Sequence, residues 1–207
     1  MDIASAVFLV VVIIFSAIVH EVMHGVAADK LGDPTARYAG RLTLNPIPHI
    51  DPVGSILLPL VLALSGSPIF FGWAKPVPYN PYNLKPGRFS EAIVAGAGPL
   101  SNAIIAIVTA LFIRTNLFGE ANGVFFIIVL VNVMMCIFNL VPIPPLDGSK
   151  VLEAFLPRSL QRGYARWRST MERSPLLGMI LLLAIVFLAG GLFSQWIYAI
   201  ASALAGM

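Results

Sequence analysis

Charge is what this chain has least of. Of its 207 residues, 11% are Asp, Glu, Lys or Arg against 58% hydrophobic, and the mean hydropathy is +0.87. Soluble domains carry roughly 25% charged residues, so a soluble fold is excluded and a chain that crosses a membrane several times is expected. Cysteine is nearly missing too: the lone Cys136 rules out an intrachain disulfide and any CxxC zinc motif. Repeats, low-complexity tracts and long polar stretches are lacking, so residues 1–207 read as a single membrane domain with no appended soluble one. The amino-terminal end has no basic region, and its apolar stretch of about 25 residues exceeds a signal-peptide core, so it does not read as a cleavable signal. The net charge of +3 does not suggest nucleic acid, because Lys and Arg in a membrane chain are mainly topology signals.

What is there is a set of apolar runs. A hydrocarbon core of about 30 Å needs about 20 helical residues. Ile3–Ala28, Phe89–Ile113, Gly123–Val141 and Leu176–Leu204 are long enough, the last with a possible break at Gly190-Gly191. Val53–Leu64 is shorter and contains Pro59; about twelve residues reach only about 18 Å, which suits a re-entrant segment. The basic residues lie in three stretches: Lys30 to Arg41, Lys75 to Arg88 and Lys150 to Arg173. Short basic loops stay cytoplasmic. Four spans with a re-entrant 53–64 put all three inside and both termini outside. The fold class expected is therefore all-α and polytopic, with core spans 3–28, 89–113 and 123–141, a carboxy-terminal span 176–204, and one irregularity. Ala36–Pro46 alternates Tyr38, Leu42 and Leu44 with polar or small residues and reads as a strand or hairpin at the cytoplasmic membrane edge.

Within the first run, from Ile3 to Ala28, the only ionisable side chains are His20, Glu21 and His24. Ionisable groups in a bilayer cost several kcal/mol each and usually mark function. They form H-E-x-x-H. On a helix, positions i and i+4 share a face, so two imidazoles can hold one zinc, each about 2.0–2.1 Å from it. Glu21, about 100° around the helix, suits a general base acting on a zinc-activated water. The competing reading is a polar cluster that glues helices together.

Two histidines leave zinc short of a third protein ligand. Asp147 stands out in "NLVPIPPLDGSK", after Pro142, Pro144 and Pro145 break any regular helix. "PPLDG" is also a good turn sequence, so a plain helix-end turn remains open there. Topology favours the ligand: His20 sits about 25 Å into the first span, near its cytoplasmic end, and with one span between them Asp147 lies on the same side. Asn102 follows "AGAGPL" in the second span, where it either points at the metal to stabilise an oxyanion or bonds a neighbouring helix. Asn139, eight residues before Asp147, either holds the substrate carbonyl or ties the Asp147 loop. Asn132 reads as structural. His49 reads as an accessory site residue or a plain interfacial one, and Tyr79 as an interface anchor.

Three motifs, "HEVMHG" at 20–25, "AGPLSN" at 97–102 and "NLVPIPPLDG" at 139–148, make the chain resemble the site-2 protease family of intramembrane zinc metalloproteases, in the compact form without PDZ or CBS domains. The resemblance implies one Zn2+ per chain held by His20, His24 and Asp147, Glu21 as catalytic base, and a three-span core. It also implies cleavage of a partner's transmembrane helix, in a prokaryotic plasma membrane with the site toward the cytoplasm. Residues 41–45 are expected to capture the unwound substrate by strand addition. A non-hydrolytic reading, a zinc carrier or a helix-binding chaperone, is the alternative. A carrier needs polar residues continuing across the membrane, and a dead binder would lack Glu21 or a ligand.

Overall fold

The structure is a computed structural model that describes residues 3–57, 61, 74–117 and 119–207. Seven α-helices carry the fold among these residues: α1 (Ile3–Lys30), α2 (Thr35–Tyr38), α3 (Ser90–Arg114), α4 (Asn122–Asn139), α5 (Asp147–Phe155), α6 (Arg158–Arg173) and α7 (Pro175–Ala205). Val7–Lys30, Ser90–Arg114 and Gly119–Asn139 are each long and apolar enough to cross a membrane. Their flanks remain apolar outward, with Val7, Leu100 and Leu111 all more than half exposed. Such a belt is out of place in water and natural against lipid.

α3 is the central element, packed against α1, α4, α5 and α7. Small side chains let it approach its neighbours closely, as membrane helices without a hydrophobic driving force require. Ala106 and Ala110 of α3 meet Val129 and Val133 of α4 and Ile197, Ala201 and Ala205 of α7 in one buried cluster. At its end Arg114 donates from Nε to the Leu204 carbonyl at 2.6 Å and from Nη2 to the Ala203 carbonyl. These are carbonyls that the last turn of α7 leaves without helical partners. α3 and α7 therefore end at the same side. α7 runs unbroken through Gly190 and Gly191, so the break expected there does not occur; glycine weakens a helix by only about 1 kcal/mol.

α1 ends where Gly32, at φ +107°, turns the chain and Asp33 N–H returns to the Ala28 carbonyl at 2.9 Å. The strand expected over 36–46 is absent, and there is no strand among the described residues. Ala36 is fully buried in the short α2, Gly40 sits at φ +64°, and Arg41 N–H closes back on the Ala36 carbonyl at 3.0 Å. Leu42 then packs onto α1 at Gly25. The alternation reflected anchoring onto a helix rather than pairing with a strand, and the capture of substrate by an edge strand at 41–45 goes with it. Of the expected re-entrant segment, Pro52–Leu57 forms a π-helical turn, while residues 58–60 and 62–64 lie outside the described residues.

Basic residues of α6 and of the turn before α3 fix α5. Arg168 of α6 pairs with Glu91 of α3, Glu153 of α5 and Glu172 on its own helix, at 3.2, 2.7 and 3.1 Å. Arg88 donates to the Ala154 and Leu156 carbonyls at 2.5 and 2.6 Å, capping the end of α5. Gly148 is required in the first turn of α5, because a Cβ there would run into the Leu140 and Val141 carbonyls at the end of α4.

Candidate metal centre

His20 and His24 stand one turn apart on α1, rings edge to face with centroids 4.7 Å apart. Nε2 of each lies 3.2 Å from Oδ2 of Asp147, at the first residue of α5. The three ligand atoms all fall within 4.8 Å of one another. The two histidines are buried.

The far side of each ring decides what this convergence means. His20 Nδ1 lies 2.6 Å from Asn102 Oδ1, and His24 Nδ1 lies 2.7 Å from the Val94 carbonyl. Both partners only accept, so the hydrogen of each neutral ring belongs on Nδ1 and Nε2 presents a lone pair. Two lone pairs and a carboxylate oxygen then face one point without a donor between them. A cation makes that arrangement favourable, and the set of two imidazoles and one carboxylate is one that zinc takes. Gly98 of α3 completes the cradle. A Cβ on it would sit 2.5 Å from His24 Nε2 and 2.6 Å from His20 Nε2, in the space that the ligand atoms enclose.

Glu21 lines the same cavity, of about 220 Å³, with Asn139 and Lys150 also on its wall. Its Oε2 accepts the Val77 backbone N–H at 2.8 Å. Asn139 returns its Nδ2 to the Met135 carbonyl at 2.9 Å and stands at the mouth of the α4–α5 connection. Tyr79 lines the cavity, its ring 5.4 Å from Lys150 Nζ.

Of the two roles left open for Asn102, the structure has the bond to neighbouring helices. It is fully buried behind His20, its oxygen on Nδ1 and its Nδ2 donating to Asn132 Oδ1 at 2.8 Å. Asn132 in turn donates to Ser16 Oγ at 3.0 Å and to the Ile128 carbonyl at 2.9 Å. The second N–H of Asn102 goes to the Ser16 carbonyl at 3.4 Å, so the amide orients a ligand and has no donor left for an oxyanion on the metal side. His49 is not among the metal-facing groups: it is buried, with Nε2 2.9 Å from the Thr43 carbonyl. The site roles of Gly98, Val94 and Val77 escaped the sequence reading, which took Gly98 only as a small residue for close helix packing. Gly98 lies in a motif that sequence singled out; the other two act through backbone atoms, which no residue type announces.

Residues 115–185 match the family model described as peptidase family M50. The chain is 35% identical over 199 residues to YwhC of Bacillus subtilis, named as a candidate zinc metalloprotease, covering 91% of this chain and 84% of that one. It is 32% identical over 157 residues to Rip2 of Mycolicibacterium smegmatis, named likewise, covering 73% and 58%. Rip2 of Mycobacterium tuberculosis is 29% identical over 167 residues, covering 78% and 62%. No solved structure matches significantly.

Proposed function

We propose, from the premise that the chain belongs to peptidase family M50, the site-2 proteases, that this zinc metalloprotease cuts peptide bonds within or near the transmembrane helices of other membrane proteins. The observation behind it is the meeting of His20, His24 and Asp147 around one point with Glu21 on the wall of the same cavity. His20, His24 and Asp147 would hold the zinc. Bound there, zinc supplies Lewis acidity toward the scissile carbonyl and acidifies a water molecule.

The remaining work falls to the chain itself. Asn102 and the Val94 carbonyl keep both Nε2 lone pairs forward. Glu21, with Oε2 engaged by Val77, takes a proton from the attacking water on Oε1 and delivers it to the leaving amine as the C–N bond breaks. Asn139, at the cavity wall, holds the substrate carbonyl with its second N–H. α7 serves as a fourth span, and the cavity faces the cytoplasmic side of a prokaryotic plasma membrane. Because a helix hides its own carbonyls, the substrate must unwind at the cut.

The test is reconstitution of the zinc-loaded protein in liposomes with a library of single-span peptides, with fragments identified by mass spectrometry. Cuts inside apolar segments that vanish in Glu21→Gln are expected. Intact peptides with a fully zinc-loaded wild type would overturn the reading in favour of a non-hydrolytic zinc protein.

A further inference from the structure

The stretch Lys75-Pro76-Val77-Pro78-Tyr79-Asn80 is neither helix nor strand and lines the cavity through Pro76, Val77 and Tyr79. Residues ahead of proline are held in extended conformations, so the two prolines shape this strap by themselves. They also strip it of donors: Pro76 and Pro78 carry no N–H, and Val77 supplies the one N–H between them. That N–H goes to Oε2 of Glu21 at 2.8 Å.

The strap is fixed rather than laid loosely across the site. Lys75 N–H bonds the His49 carbonyl at 2.9 Å, and Asn80 N–H bonds Oδ2 of the fully buried Asp33 at 2.6 Å. Arg41, itself buried, donates from Nη2 to the Lys75 and Pro76 carbonyls at 2.7 and 3.3 Å. The Val77 side chain is 5% exposed and lies over Gly25, where a Cβ would come within 2.8 Å of its Cγ1. Gly25, directly after His24, is thus the opening on α1 that admits the strap. Buried anchors at both ends and in the middle are the mark of a permanent wall and not of a lid.

From these contacts we infer that Val77, through its backbone N–H, is a positioning residue for the protease reaction: it fixes one carboxylate oxygen of Glu21 so that the other faces the reacting water, and Arg41 acts through it by setting the strap. The inference rests on the proteolytic reading. A base displaced by about 1 Å loses on the order of 10²-fold in rate, so a group whose conformation is otherwise free gains from such a tether.

Hydrogen exchange on the zinc-loaded protein in nanodiscs tests the contact without any substrate. The Val77 amide, alone between two prolines, is expected to be protected and to exchange roughly ten-fold faster in Glu21→Ala, while Lys75 and Asn80 stay protected. Turnover of a cleaved reporter helix tests the role. Val77→Pro, which deletes the N–H, and Arg41→Met, which leaves the cavity lining untouched, should each lower kcat by roughly ten-fold or more with KM and zinc content unchanged. Arg41→Lys should recover part of the loss, and the double variant should be no worse than the poorer single one. Val77 exchange indifferent to Glu21→Ala, wild-type or faster turnover in both variants, or loss of zinc along with kcat in Arg41→Met would each overturn the inference. A wild type that cleaves no helix defeats the proteolytic reading instead, and the exchange result still decides whether the contact exists.

Discussion

Two regions grip the same half-turn of α1 and are built in opposite ways. Behind His20 stand Ser16, Asn102 and Asn132, neutral groups on three helices, the two amides with no solvent exposure. In front of Glu21 stands an irregular strap whose backbone is held by charged side chains, Arg41 and Asp33, from the turns that follow α1. The ligands are thus oriented by packed helices through neutral amides, where any unpaired polar group is expensive, and the base by a loop whose buried ions are matched to backbone groups. The division predicts that lesions behind α1 cost metal first, and lesions in front of it cost turnover first.

The largest effect should come from the point where the regions meet the metal. Gly98→Ala places a methyl group between the two Nε2 atoms, and nearly complete loss of bound zinc is expected by elemental analysis of the purified protein. Glu21→Gln should follow: a fall in turnover of about 10²- to 10⁴-fold with zinc retained, since Glu21 is not among the converging ligands. Asn102→Ala, a lesion of the rear region, should weaken zinc by roughly 10- to 100-fold in a chelator competition, and the Asn132 amide oxygen and Ser16 carbonyl it abandons should cost about 1–3 kcal/mol in a thermal melt. Turnover loss with undiminished zinc affinity in Asn102→Ala would blur the division.

The smallest effect belongs to the far anchor of the strap. Burial works against charge on Asp33, and hydrogen bonds from Thr35, Asn83 and Asn80 outweigh it and lower its pKa. A depressed carboxylate contributes stability above its unfolded pKa of about 3.9, and the contribution is lost as the pH falls through the lower folded value. Asp33→Asn should therefore lower stability by about 1 kcal/mol at neutral pH and flatten the acid limb of the melting curve, leaving zinc unchanged.

What was legible in the sequence follows the same line. His20, Glu21 and His24 were visible because ionisable groups in an apolar run demand a reason. Asp147 was visible because it follows a proline break after a long uncharged run, and the placement of Arg and Lys favoured the same side as His20. Asn102 was noticed for its polarity with two directions left open, since a polar residue in a span does not declare which face it occupies; the helix-bonding alternative was the one realised. The alternation of Tyr38, Leu42 and Leu44 suggested a strand, yet Tyr38 is 84% exposed and only Leu42 seats on Gly25. The role of Gly98 beside the ligands and that of the Val77 N–H were out of reach, one an absence of side chain and the other a backbone group, both meaningful only once α1, α3 and the strap are assembled.

The most direct test of the central claim is zinc stoichiometry in the purified protein, wild type beside Asp147→Ala and Glu21→Gln. About one zinc per chain, reduced in Asp147→Ala and kept in Glu21→Gln, is the expected result. A wild type without zinc, or an Asp147→Ala that binds it equally well, would contradict the three-ligand site.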